Sequence, residues 1–224
     1  MLSVIIPTLD AAAVLPATLA ALGEGAGLIG EIIVSDGGSS DGTRAVAEHA
    51  GCRVVEGERG RGPQLAAGAA AARGDWLLFL HADTRLDAGW AAAVQRVCAD
   101  PLHADHAAYF RFALADAAPA ARRLEALVDW RCRHLGLPYG DQGLLIRAAT
   151  YRAAGGFALI PLMEDVDLVR RLGRANLVAL PVRAVTSAAR YRRHGYWARP
   201  LRNLVCLGLY FAGVAPAQLV RLYG

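Results

Sequence analysis

The chain of 224 residues contains no lysine; its 24 basic residues are all arginine. Charged side chains are scarce at 20% while 55% of residues are apolar, a balance that excludes a disordered chain. Cysteine is sparse too. Cys52, Cys98, Cys132 and Cys206 lie far apart, with no CxxC and no close Cys/His pairing, so a structural zinc site is not expected and the four read as reduced core thiols of a cytoplasmic protein. No acid follows Asp167, whereas ten arginines do; with a net charge of +4 overall, the first 167 residues therefore carry −6. Such a basic end suits phosphate, nucleic acid or an anionic membrane surface. No GxGxxG follows the first apolar run, which argues against a dinucleotide enzyme, and no glycine-rich basic signature follows it either, which argues against a nucleotidyltransferase. A basic leader and a long apolar core are missing at the start, so secretion is not expected. Linkers rich in Pro, Gly or Ser and repeats of solenoid length are also absent, which leaves one domain with a tail.

What is present alternates. "LSVIIPT" (2–8), "EIIVSD" (31–36), "CRVVEG" (52–57) and "DWLLFLHADT" (75–84) read as strands. Helical spacing lies between them, as in "AAVLPATLAALG", where Val14, Leu15, Leu19 and Leu22 share a face. Strands that are apolar throughout belong in a parallel sheet covered on both faces, and the ligands of such sheets bind at the carboxyl ends of the strands. That edge would carry Pro7, Asp36 and the run His81, Ala82, Asp83. Beyond residue 86 the rhythm changes: helices near 88–100 and 119–136, strands "AYFRFAL" and "QGLLIR", then a helix "EDVDLVRRLG".

Three stretches carry chemistry. In "VSDGGSSDGT" Asp36 sits one step past a strand, where a carboxylate can accept N–H or ribose hydroxyl donors, while Asp41 is placed to cap the next helix. In "LFLHADT" a buried strand delivers Asp83 to the sheet edge, a position that suits a hard divalent cation shared with a diphosphate. The third, "YGDQGLLIRAATYRAAGGFALIPLMEDVDLVRRLG", sets Asp141, Glu164, Asp165 and Asp167 among glycines and apolar residues. A solvated acidic surface would account for them in isolation; their setting beside the other two stretches points to a site.

Taken together, "SVIIPTLD", "VSDGGSSDGT", "GRGPQLAAGAAAARGDWLLFLHADT" and "MEDVDLVRRL" resemble the family 2 glycosyltransferases of the GT-A fold, in order and spacing over roughly residues 3–195. The finer resemblance is to small non-processive bacterial members with "LHADT", "YGDQG" and "MEDV", including those of arsenosugar biosynthesis. The resemblance implies an α/β fold with a Rossmann-like, mostly parallel sheet. It implies a nucleotide-sugar-binding half at 1–100, an acceptor and catalytic half at 101–195, and a helical tail at 196–224. It also implies site residues. Pro7, Thr8 and Asp36 would take the base and ribose, Arg59, Arg61 and Gln64 would line the donor, and Asp83, with His81 beside it, would bind Mn2+ or Mg2+ at the position of the DxD motif. Glu164 and Asp165 fall on the ED motif, whose second acid is taken as the catalytic base; Glu164 would orient the acceptor, and Asp141 is the rival for either task. Arg190 and Arg193, with Arg192 and His194, form a basic patch suited to the leaving diphosphate.

There are departures. His81 replaces the first acid of DxD, Asp10 is followed by Ala11 where members often carry Asn-Glu, and "ARYRRHG" lacks the Gln and Trp of the processive QxxRW motif. The expected activity is metal-dependent, inverting transfer from a nucleotide-diphosphate sugar, UDP being the commoner donor, to a hydroxyl acceptor, with no nucleic acid involved. An inactive relative that senses or scaffolds a nucleotide sugar is the alternative. The apolar tail is too short to span a bilayer. It either packs as a buried helix on the domain or in a homodimer, or lies on the inner face of an anionic membrane with Trp197, Arg199 and Arg202 at the interface.

Overall fold

The computed structural model describes residues 1–223; Gly224 and the side chains of Arg190, His194 and Tyr223 lie outside the described residues. In the first half, β1 (Leu2–Thr8), β2 (Ile29–Asp36), β3 (Arg53–Glu56) and β4 (Trp76–Phe79) are joined by α1 (Leu15–Leu22), α2 (Thr43–His49) and α3 (Arg61–Ala71). They pair in parallel in the order β3-β2-β1-β4. All seven residues of β1 are buried because both faces of the sheet are covered. Val4 and Ile6 pack with Leu15, Leu22 and Trp90, while Ile5, between them, packs on the opposite side with Leu65, Leu77 and Phe79.

The second half comprises β5 (Thr84–Leu86), α4 (Trp90–Ala99), β6 (Ala107–Leu114), α5 (Pro119–Leu135), β7 (Leu144–Arg147), α6 (Ala148–Ala153), α7 (Glu164–Leu172) and β8 (Leu177–Thr186). The sheet order is β3-β2-β1-β4-β7-β6-β8-β5. Strand β7 runs antiparallel to both β4 and β6, β8 runs parallel to β6, and β5 closes the far edge antiparallel to β8. The sheet is thus mostly parallel, with helices on both faces.

One element differs from expectation. The apolar run at 75–84 is not one strand: β4 stops at Phe79, and the chain turns before the short β5. Thr84 N–H closes that turn on the His81 carbonyl (3.2 Å), and Thr18 Oγ1 anchors it through the Ala82 carbonyl (2.7 Å). β8, a strand the sequence reading did not pick out, contains Pro181, and its register to β6 slips around it, from Tyr109 opposite Ala179 to Arg111 opposite Arg183. A residue without an N–H is tolerated inside a sheet where a bulge leaves no ladder bond to make.

The chain ends in α8 (Ala189–His194), α9 (Ala198–Phe211) and α10 (Pro216–Tyr223). Cys206, Leu207 and Leu219 join the core beside α7, whereas Trp197, Leu201, Leu204 and Val205 stay exposed. Among the described residues no helix is long and apolar enough to cross a membrane.

Candidate active site

Three segments distant in sequence converge on one cleft. The turn after β4 contributes His81 and Asp83, the turn before β7 contributes Tyr139, Gly140 and Asp141, and the start of α7 contributes Asp165. Gly140 is the point of closest approach. Its N–H donates to Asp165 Oδ2 (2.7 Å), and a Cβ at this position would lie 2.7 Å from His81 Nε2 and 3.4 Å from Asp165 Oδ2. The turn that carries it is held by two residues that the sequence did not single out. Gln142 Nε2 donates to the Phe110 carbonyl (3.0 Å), while its Oε1 accepts from Tyr139 N–H and from Arg131 Nη2, both at 3.2 Å. The Arg131 guanidinium stacks 3.4 Å above the Tyr139 ring. A polar residue next to a candidate acid at the start of a strand was the available signal for Gln142; Arg131 had none.

The acids differ in what surrounds them. Asp165 is half-buried and accepts two backbone N–H groups, that of Gly140 and its neighbour Val166 (2.7 Å). Asp141 Oδ1 is sealed from solvent without a hydrogen-bond partner. Burial pushes its carboxyl up to about 6, Arg131 opposing and the nearby Asp165 and Asp83 adding to the rise. Glu164 is fully buried and faces Arg61, whose Nε lies 3.0 Å from Oε1. Even so, burial pushes Glu164 up to about 7, with Arg61 only partly offsetting it. No side chain caps α7; the residue before it, Met163, has φ 67°, a left-handed conformation uncommon outside glycine. Asp167 points elsewhere, paired with Arg171 at 2.6 Å.

At the ends of β1 and β2, Asp36 is buried and accepts from Thr8 Oγ1 (2.9 Å), Ser39 N–H (2.8 Å), Gly38 N–H (3.2 Å) and Ser39 Oγ. Burial alone would raise its carboxyl, but the bonds from Ser39, Thr8 and Gly38 outweigh it and hold the group below its ordinary value. Gln64 Nε2 donates to the carbonyls of Thr8 (2.5 Å) and Ser35 (3.0 Å), stapling the ends of β1 and β2, and Pro7 is buried within β1. All four are buried, and none of them is in the cleft's lining. Asp41 precedes the cap: the N-cap of α2 is Gly42, and Asp41 Oδ1 accepts the Thr43 N–H (2.9 Å) in a local turn. Arg61 reaches the cleft, while Arg59 is exposed and outside its lining. Beside Arg61, a Cβ on Gly62 would meet the Ala158 and Ile160 carbonyls at 2.3 and 2.4 Å, so glycine lets the loop before α7 rest on the first turn of α3.

The basic patch divides. Arg192 pairs with Asp116 (2.7 Å), Arg193 is exposed and away from the cleft lining, and the side chains of Arg190 and His194 lie outside the described residues. The cleft is reached instead by Tyr191, Arg199 and Asn203. None of these three was expected there.

Among the described residues no three His, Cys, Asp or Glu side chains assemble into a metal cage. Asp83 nonetheless faces the cleft beside His81, with Thr186 Oγ1 3.5 Å from its Oδ1. An acid and an imidazole fit a divalent ion that takes its remaining ligands from phosphate and water, as ions shared with a diphosphate commonly do.

Comparison with known proteins agrees with this architecture. The profile of glycosyl transferase family 2 matches residues 3–131. No curated protein matches the sequence significantly. Among solved structures, the glucosyl-3-phosphoglycerate synthase of Mycobacterium tuberculosis in complex with Mn2+, UDP and glucosyl-3-phosphoglycerate is similar, with 21% identity over 83% of this chain and 70% of that one and a TM-score of 0.55. The same enzyme with Mn2+, UDP-glucose and phosphoglyceric acid gives 19% identity, the same coverages and a TM-score of 0.58. TarS of S. aureus is similar over 99% of this chain and 69% of that one, at 15% identity and a TM-score of 0.65. The fold is that of the GT-A glycosyltransferases, and the chain belongs to glycosyl transferase family 2.

Proposed function

We propose that this enzyme transfers a sugar, with inversion, from a UDP-sugar to an acceptor hydroxyl. One observation carries the reading: at the carboxyl edge of the sheet, Asp83, Asp141 and Asp165 from three separate segments line a single cleft. Solved relatives of the same fold hold Mn2+ with UDP or UDP-glucose, which supports the choice of donor. The donor's base and ribose bind at the carboxyl ends of β1 and β2, near Thr8, Asp36 and Gln64, and residues 1–100 serve as the donor half. Asp165, oriented by two backbone N–H groups, accepts the proton of the acceptor hydroxyl as its oxygen attacks the anomeric carbon. The bond from that carbon to the diphosphate breaks on the opposite face. Asp141, whose Oδ1 has no partner, receives the acceptor hydroxyl; the two acids exchange roles if Asp141→Asn, not Asp165→Asn, abolishes transfer. Glu164 contributes from beneath by holding Arg61 at the cleft wall. Asp83 and His81 would hold Mn2+ or Mg2+, which offsets the charge growing on the leaving diphosphate.

Thermal denaturation with UDP-sugars, with and without Mn2+, tests the reading. A UDP-sugar should raise the melting temperature only with metal, and Asp83→Ala should remove that rise. Stabilisation that ignores the metal, or survives Asp83→Ala, would sink the assignment.

A further inference from the structure

Helix α9 is built the wrong way round for an ordinary surface helix. Over its first two turns it directs polar residues inward and apolar ones outward: Arg199 is 7% exposed and Asn203 half-buried, whereas Leu201 is 63%, Leu204 60% and Val205 50% exposed. A surface helix normally does the reverse, since the apolar stripe gains by leaving water. Arg199 and Asn203 are four apart, so they stand one above the other on one face, and both line the cleft. Asn203 Oδ1 is sealed from solvent without a hydrogen-bond partner, which leaves an acceptor atom in want of a donor. Arg199 brings a planar fork of N–H donors suited to a carboxylate or phosphate.

The cleft's other charges define what this wall is for. The cleft is lined by the carboxylates of Asp83, Asp141 and Asp165 and by two guanidiniums, that of Arg61, which Glu164 faces, and that of Arg199. A neutral acceptor would need no cation to enter. An anionic one would need a cation in the cleft wall, together with a group that takes a hydroxyl proton. We infer that Arg199 and Asn203 form an acceptor subsite for a small hydroxylated anion, a hydroxy acid or polyol phosphate, with Arg199 on the oxyanion and Asn203 Oδ1 on a hydroxyl. Its role as an acceptor site rests on the proposed glycosyl transfer.

Calorimetric titration of the full chain with D-glycerate, glycerol 3-phosphate, glycerol and propionate, and separately with UDP and Mn2+, tests this. The wild type should bind the two hydroxylated anions at least tenfold more tightly than glycerol. Arg199→Gln should lose about tenfold or more of that affinity with UDP binding changed less than twofold. Asn203→Ala, which removes no charge and carries the test if Arg199→Gln fails to fold, should erase the preference for glycerate over propionate. No discrimination between glycerate and glycerol by the wild type would overturn the subsite. So would an Arg199→Gln protein that keeps its anion affinity but loses UDP, since the guanidinium would then serve the donor's diphosphate. A wild type that binds glycerate but no nucleoside diphosphate would leave the subsite standing and refute glycosyl transfer.

Discussion

Gly140→Ala isolates the meeting of the three segments. The new Cβ would sit 2.7 Å from His81 Nε2, where ordinary contact begins near 3.5 Å, so the imidazole must retreat by roughly 0.8 Å. The backbone at 140 is not left-handed, so alanine meets no conformational penalty there and gains ~0.4–1 kcal/mol by restricting the unfolded chain. Overpacking costs about 1–3 kcal/mol. The net destabilisation should therefore stay near 2 kcal/mol or below, a fall of roughly 4–8 °C in melting temperature for a chain of this size. Function should suffer more. Displacing His81 beside Asp83, and loosening the Gly140 N–H bond to Asp165, misplaces groups by nearly 1 Å, an error that costs on the order of 10²-fold in rate. The assay is UDP release with Mn2+, read beside Mn2+-dependent UDP affinity and the melting curve. His81→Ala supplies the decisive control: if the clash is with the imidazole, adding Gly140→Ala to His81→Ala should cost little further activity. Equal losses from Gly140→Ala in both backgrounds, or full activity in the single variant, would refute the reasoning.

Asp165→Asn should keep the fold and UDP affinity while turnover falls by about 10²- to 10⁴-fold. Asp167→Asn should leave turnover nearly unchanged and instead weaken the pairing with Arg171, measured as a small drop in melting temperature. Glu164→Gln should change stability with a definite pH sign. The folded protein keeps the Glu164 proton up to about pH 7, whereas the unfolded chain releases it near 4.5, so its stabilising contribution is present below 4.5 and is lost as pH rises through 7. Chemical denaturation at pH 5 and pH 8 should show the variant losing less stability than wild type over that interval, by an amount on the order of 3 kcal/mol. An identical pH slope in the two proteins would mean that Glu164 does not titrate as its burial requires.

The local pattern alone determined the alternation of strands and helices in the first half, because apolar runs of strand length and helical spacings are set by neighbours in the chain. It also marked Asp83, Asp141 and Asp165, since each acid adjoins an apolar run or a glycine turn that carries it to the sheet edge. What no local pattern holds is which of these segments touch. That Gly140 closes against both His81 and Asp165 follows from β7 lying antiparallel beside β4, a pairing between residues about 70 apart. The end of β4 at Phe79 was invisible for the same reason, as the turn is anchored by Thr18 from α1. Asp36 and Gln64 were legible as candidate donor contacts, but not that their polar atoms are engaged by Ser39, Thr8 and backbone carbonyls, since buried polar groups find partners where the fold places them. The basic tail displayed ten arginines to choose from, and composition favoured the densest cluster. Helix packing chose otherwise: Cys206 and Leu207 seat α9 on the core with Arg199 and Asn203 toward the cleft, while Arg192, on α8, pairs with Asp116.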